Sequence, residues 1–291
     1  MANQDRLHRF IFEQLDVRGE LVQMDASWQA VLARYDYPDN VRDQLGQAMA
    51  AAVLMSATIK FEGSLILQAQ SEGPLTTLVA QASHQRTMRG LARWHGEDIP
   101  SGSLPEVFGP GQMVLTIDNS KSDRYQGIVG LEGESLSRAL EGYFNRSEQL
   151  ASRFWLMADG DRAAGLFLQQ LPSEKRHNDD WERLGMLAET VSHDELLNLE
   201  PRSLLHRLFH EEEVRLFDPE PVAFRCSCSK ERIENTLRTM GMDDVKGILS
   251  EQGKIQVDCE FCNKQYLFDP VDVEQLFAQA SPPANSPTTP Q

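Results

Sequence analysis

Cys226-Ser227-Cys228 and Cys259-Glu260-Phe261-Cys262 stand 30 residues apart and contain every cysteine of the chain. This CxC and CxxC pair decides how the C-terminal part is read. Four thiolates brought to one point match the tetrahedral sulfur set that Zn²⁺ takes at about 2.3 Å, with no coordination position left open. A CxxC turn offers two thiolates to one ion, and Asn263 directly after it tolerates the left-handed backbone that such a turn needs. The expected ligands are therefore Cys226, Cys228, Cys259 and Cys262, with one Zn²⁺ as cofactor. The bland role of such a site is to staple a small module.

Two features point beyond a staple. A disulfide closed across the single residue of a CxC is a tight, strained ring that forms late and breaks easily. Four thiolates on Zn²⁺ also make a formally doubly negative centre, open to attack by peroxide or hypochlorous acid where exposed, and oxidation removes the ligands. Zinc contributes on the order of 10 kcal/mol to the folding of a small module, so its loss is expected to unfold about 60 residues.

The chain has 291 residues, about twice the usual single-domain size, so a large domain plus a smaller unit is expected. At 41% hydrophobic and 25% charged residues, most of it folds. Its 44 acidic and 28 basic residues give −16, a surface that repels a phosphate backbone or an anionic bilayer. From Cys226 onward there are 6 basic against 10 acidic residues, the wrong sign for a zinc module that binds DNA or RNA. The first residues lack a signal-peptide apolar run, and the longest apolar stretch, 48–55, is far too short to span a bilayer. A cytoplasmic location is expected, where clustered cysteines read as metal or redox chemistry.

The predicted fold class is α+β: a large N-terminal sheet-plus-helix domain, a helical linker and a small four-cysteine zinc-binding domain. Leu7, Phe10, Ile11 and Gln14 predict a helix over 6–15, and Ser27 is read as the cap of a second helix through Trp28, Val31 and Leu32. Pro38 opens a core helix over 38–56 with Val41, Leu45, Met49, Ala52 and Val53 on one face. Short β-rich runs at 64–70, 75–80, 113–118 and 124–131 predict strands of one sheet. A helix with Leu136, Leu140, Tyr143 and Phe144 follows, then strands at 153–158 and 164–171 around Asp159-Gly160-Asp161. Trp181, Leu184, Leu187 and Val191 have helical spacing, Ser192 with Glu195 fits a capping box, and Pro201 starts a helix striped by Leu204, Leu205, Leu208 and Phe209. Glu211, Glu212 and Glu213 at its C-terminal end are expected to weaken it slightly through the helix dipole. The boundaries predicted are 1–175 for the core domain, 176–221 for a metastable linker, 222–280 for the zinc module and 281–291 for a disordered tail. Once zinc leaves, Trp181, Leu184, Leu204, Leu205, Leu208 and Phe209 are the candidate surface for unfolded proteins.

With these segments in view, the chain resembles the heat shock protein 33 family of redox-regulated holdase chaperones. The resemblance runs almost end to end. It is carried by Val17-Arg18-Gly19-Glu20-Leu21, by Arg124-Tyr125-Gln126-Gly127-Ile128-Val129-Gly130-Leu131-Glu132-Gly133, and by Tyr143-Phe144-Asn145-Arg146-Ser147-Glu148-Gln149-Leu150. His210-Glu211-Glu212-Glu213-Val214 and Phe224-Arg225-Cys226-Ser227-Cys228-Ser229 with Cys259-Glu260-Phe261-Cys262 complete it. It implies a cytoplasmic, ATP-independent chaperone that is inactive when reduced and zinc-bound. It further implies that oxidation pairs Cys226 with Cys228 and Cys259 with Cys262, releases zinc and unfolds the module and linker. The same resemblance implies a homodimer when oxidised, and clients that pass to an ATP-dependent folding system.

Other classes fare less well on the residues. His8, His84, His95, His177, His193, His206 and His210 are scattered, and no nucleophile elbow or phosphate loop accompanies them, so no enzyme is expected. A thiol-disulfide oxidoreductase normally places its CxxC at the start of a helix in a βαβ unit, whereas here a second cysteine pair and Tyr266-Leu267-Phe268 surround it. That reading and a purely structural zinc module remain the alternatives.

Overall fold

The apolar run 48–55 is the middle of a 20-residue helix, Asp39–Thr58, whose buried residues lie on nearly every side of it. A helix apolar all round must be enclosed, and the chain encloses it between two sheets. The computed structural model describes residues 5–59, 61–97, 99–119, 123–172 and 178–278. The predicted linker start at 176, His177 and the tail 281–291 lie outside them. The chain divides into two compact units, Met1–Arg225 and Cys226–Gln291.

In chain order the first unit runs β1 (Arg6–Phe12), β2 (Val17–Met24), α1 (Ala26–Leu32), α2 (Asp39–Thr58), β3 (Gly63–Ser71), β4 (Leu75–Ser83) and β5 (Thr87–Trp94). It continues through α3 (Leu104–Phe108), β6 (Gly111–Asn119), β7 (Tyr125–Val129) and α4 (Leu136–Tyr143), which ends in a π-helical turn, Phe144–Glu148. Then come β8 (Ser152–Ala158), β9 (Ala163–Gln170), α5 (Asn178–Glu189), α6 (His193–Asn198), α7 (Pro201–Phe209), β10 (Val214–Leu216), β11 (Glu220–Pro221) and β12 (Ala223–Phe224). One antiparallel sheet has the order β10-β1-β2-β9-β8, with β11 also on β1. The other has the order β12-β5-β4-β3-β6-β7, all antiparallel except β12 on β5. The four strands predicted to share a sheet do so, while the 153–158 and 164–171 strands belong to the other one.

Small residues let α2 nest between the sheets. A Cβ on Gly46 would meet the Ala158 Cβ at 2.4 Å, and one on Gly90 would meet the Met49 Sδ at 2.3 Å. The opposite face of the first sheet is covered by α5, α6 and α7. Phe10, Phe12, Leu21, Trp155 and Leu166 from the strands pack with Trp181, Leu184, Leu204, Leu208 and Phe209 from the helices.

This two-sided burial explains the main correction. Residues 6–15 are not a helix but β1 and the turn after it. Leu7 joins the core around α2 whereas Phe10 and Phe12 join the core beneath α7, and apolar residues on both faces imitate helical spacing. Ser27 is also not the cap of α1 but lies inside it. The buried Asp5 carboxylate caps from a distance, accepting from the backbone N–H groups of Asp25 and Ser27 at 2.6 and 3.0 Å.

The predicted capping box is present: Ser192 Oγ accepts from Glu195 N–H, and the Glu195 carboxylate accepts from Ser192 N–H at 2.9 Å. The acidic run follows directly on the α7 C-terminus, where the Glu212 N–H donates to Phe209 C=O at 2.9 Å. Glu212 ion-pairs with Arg183 on α5, and Glu213 accepts from the Gln14 amide. Val222 to Arg225, read from sequence as the start of the last segment, hydrogen-bond within the first unit, to the backbone of Asp5, Arg86 and Met88.

The second unit comprises α8 (Lys230–Met240), α9 (Met242–Gln252), β13 (Ile255–Asp258), β14 (Gln265–Phe268) and α10 (Pro270–Ala278). Its core is thin, made of Leu237, Val245, Ile255, Tyr266, Phe268, Val273 and Leu276. A domain of this size with so little apolar burial calls for a staple. Among the described residues, no helix is long and apolar enough to cross a membrane.

Candidate metal and redox site

Two loops carry the cysteines to one place. Cys226 and Cys228 lie on the extended segment before α8, where Ser229 Oγ accepts from Arg232 N–H and starts the helix. The Arg232 guanidinium folds back to donate to the carbonyl and hydroxyl of Ser227, at 3.1 and 2.9 Å, and holds the CxC loop. Cys259 and Cys262 sit in the tight turn between β13 and β14. Cys259 C=O accepts from the N–H groups of Cys262 and Asn263, and Cys259 N–H donates to Lys264 C=O. Asn263 has φ +56°, the left-handed conformation expected for it.

All four Sγ atoms lie within 4.8 Å of one another, with Cys226 to Cys259 at 3.6 Å and Cys228 to Cys262 at 3.4 Å. A tetrahedral zinc with bonds of about 2.3 Å separates its sulfurs by about 3.8 Å, so the thiols surround a space of the right size. All four cysteines are half-buried and none is joined in a disulfide, which leaves the sulfurs within reach of small oxidants.

Backbone donors surround the sulfurs. Cys226 receives the Cys228 N–H, Cys259 receives those of Phe261 and Cys262, and Cys262 receives that of Lys264. Cys228 takes a side-chain donor, the Tyr266 hydroxyl, at 3.2 Å. Burial pushes the Cys226 thiol up, but the Cys228 N–H and the neighbouring thiols outweigh it and bring it down to about 7. Burial, reinforced by hydrogen bonds to the other three sulfurs, pushes Cys262 up to about 12. Burial likewise raises the Cys259 thiol, and a divalent ion held by the four sulfurs would favour the thiolate form of its ligands. The donor set, all sulfur and tetrahedral, fits a structural Zn²⁺.

A family model described as Hsp33 protein matches residues 5–269. The chain belongs to the Hsp33 family. Relatives named 33 kDa chaperonin include that of Nitrosococcus oceani, 62% identical over 279 residues and 96% of each chain. That of Shewanella baltica is 46% identical over 276 residues, 95% of this chain and 96% of its own. The crystal structure of the 33 kDa chaperonin of Thermotoga maritima shares the fold, with a TM-score of 0.81 at 21% identity, covering 95% of this chain and 99% of that one. The family resemblance read from the sequence is therefore correct, and the α+β fold with a C-terminal four-cysteine cluster is the Hsp33 fold.

The apolar residues singled out as a client surface are all buried. Trp181, Leu184, Leu204, Leu205, Leu208 and Phe209 are between 0 and 7% exposed and face the strands of the first sheet. Phe209 stacks edge-on against Phe12 at 5.1 Å. Two residues of this chemistry escape a reading of the sequence. Tyr266 stands there only as part of an aromatic strand; the period of two along β14 buries Tyr266 and Phe268 together and leaves Leu267 47% exposed, which is the available signal. Arg232 carries no signal, since a basic residue three positions after a helix cap is common.

Proposed function

We propose that this chain is a redox-regulated, ATP-independent holdase chaperone whose switch is the four-cysteine site. The observation that carries this reading is the pairing of two features: four convergent, half-buried thiols in a unit with a thin core, and a set of fully buried apolar helix faces earlier in the chain. In the reduced state Cys226, Cys228, Cys259 and Cys262 hold one Zn²⁺, which supplies the folding energy that the thin core lacks. Oxidation joins Cys226 to Cys228 and Cys259 to Cys262, each pair giving two electrons to the oxidant as its S–S bond forms, and the ion loses its ligands.

Chain continuity carries the consequence upstream. Cys226 follows closely on β12, β11 and β10, which span only two, two and three residues. Such short pairings hold little cooperative stability, so fraying from Cys226 runs back into α7. Trp181, Leu184, Leu204, Leu205, Leu208 and Phe209 then become the apolar surface that captures unfolding clients. The chaperone acts in the cytoplasm, as an oxidised homodimer, and hands clients to an ATP-dependent folding system.

The test is a titration of the reduced protein with hypochlorous acid, reading zinc by a chromogenic chelator, free thiols, and suppression of aggregation of a thermally unfolding client without nucleotide. One zinc leaving as four thiols disappear, with anti-aggregation activity rising alongside, supports the reading. Zinc loss with no activity reduces the site to a staple.

A further inference from the structure

We propose that Tyr266 is a positioning residue of the redox switch: its hydroxyl shields the Cys228 thiolate and slows loss of the metal under oxidant. The inference rests on the zinc-switch reading above and adds a determinant of its threshold. Cys226, Cys259 and Cys262 receive backbone N–H donors, which an ordinary side-chain substitution leaves in place. Cys228 receives the Tyr266 Oη at 3.2 Å, a donor that evolution or mutagenesis can delete with one oxygen atom.

The ring is locked for this task. Tyr266 is 6% exposed, sits opposite Val257 in the β13–β14 pair and belongs to the core of the second unit. The Lys264 ammonium lies 5.2 Å from its ring centroid. A hydroxyl tethered to a packed ring loses little freedom on bonding, so the hydrogen bond to sulfur persists.

The chemistry follows from what the donor does to a lone pair. When peroxide oxidises a thiolate, sulfur attacks one peroxide oxygen, an S–O bond forms, the O–O bond breaks and hydroxide leaves, with two electrons passing from sulfur to oxygen. An O–H hydrogen bond draws density from the sulfur lone pair that must attack, and so lowers its nucleophilicity. It also stabilises the anionic ligand against dissociation, and outer-shell partners of metal ligands are worth about 10- to 100-fold in metal affinity.

The experiment uses the full-length, zinc-loaded protein and its Tyr266→Phe variant under excess hydrogen peroxide, following zinc release and the loss of alkylatable Cys228 by mass spectrometry. Tyr266→Phe keeps the ring, and its zinc content and far-UV circular dichroism before oxidation report whether it folds. Release and Cys228 oxidation about tenfold faster than wild type are expected. In the cobalt-loaded proteins the thiolate-to-metal charge-transfer band moves to lower energy in the variant, which a packing role alone does not produce. Site-specific 3-fluorotyrosine at 266, a stronger donor in nearly the same shape, slows release and keeps the inference testable should Tyr266→Phe fail to load zinc. Rates within about twofold across all three proteins, with an unmoved cobalt band, overturn the role of Tyr266 while leaving the switch intact. A wild-type protein that neither holds zinc nor releases it under peroxide overturns the switch itself.

Discussion

Phe209→Ala in the reduced, metal-loaded protein probes the covered client surface directly. Phe209 is 1% exposed, with its ring edge-on to Phe12 at 5.1 Å and tilted against Phe10 at 6.5 Å. It ends α7, a nine-residue helix that is followed by the short strand β10. Truncating a buried Phe to Ala costs about 3–5 kcal/mol. Concentrated on the docking of one short helix, that is a shift of on the order of a hundredfold or more toward the undocked form. The variant is expected to bind a hydrophobic dye, to be cleaved by protease between residues 178 and 216, and to suppress client aggregation, all without oxidant. The control is Leu67→Ala on β3, fully buried in the other core, where a loss of about 2–5 kcal/mol lowers the melting temperature without uncovering α7. A Phe209→Ala protein that loses as much thermal stability as Leu67→Ala, yet stays dye-silent and resists cleavage over that span, refutes the reasoning.

Three further outcomes follow from other residues. Glu20 on β2 is buried with one carboxylate oxygen unpartnered, and burial pushes its pKa from 4.5 up to about 7 against the pull of Arg18, Arg9 and Arg86. The native state therefore holds a proton that the unfolded chain has released between pH 4.5 and 7, so this group's contribution falls as pH rises through that window, by on the order of 3 kcal/mol. Glu20→Gln removes the loss: urea midpoints should rise relative to wild type at about pH 8 and match it near pH 5, and a parallel offset at both pH values contradicts this. Asn263→Val places a β-branched residue at φ +56°, expected to cost about 1–2 kcal/mol in the second unit and to weaken zinc retention against a competing chelator. Chelating the metal from reduced protein should remove α8, α9 and α10 signal while the α2 region keeps its hydrogen-exchange protection, since α2 is enclosed by two sheets.

What is legible in the sequence depends on how local the physics is. The CxC and CxxC motifs, the left-handed Asn263 and the Ser192–Glu195 box are each written in a few consecutive residues, and each stands in the structure as read, with the two cysteine motifs meeting across 30 intervening residues. Strands β3, β4, β6 and β7 carry β-rich runs clean enough to be seen. β1 reads as a helix because both of its faces are covered, which erases alternation. β5 escapes because Gly90, whose small size admits Met49 of α2, interrupts its β-rich pattern. The cap on α1 comes from Asp5, 20 residues before Asp25, and no local motif records it. The helix stripe over 181–209 is visible, but that it closes over Phe10, Phe12 and Leu166 is a tertiary fact. Tyr266 reaches Cys228 across 38 residues, so its hydroxyl has no sequence signature.

The link between metal loss and the covered helix faces is tested most directly by hydrogen exchange with mass spectrometry on the zinc-loaded reduced protein and on the same sample after hypochlorous acid. Exchange is expected to rise after oxidation in 226–278 and in α5, α6 and α7, together with loss of one zinc per chain, while α2 stays protected. Protection of α5 to α7 that survives complete zinc release and thiol oxidation contradicts the switch.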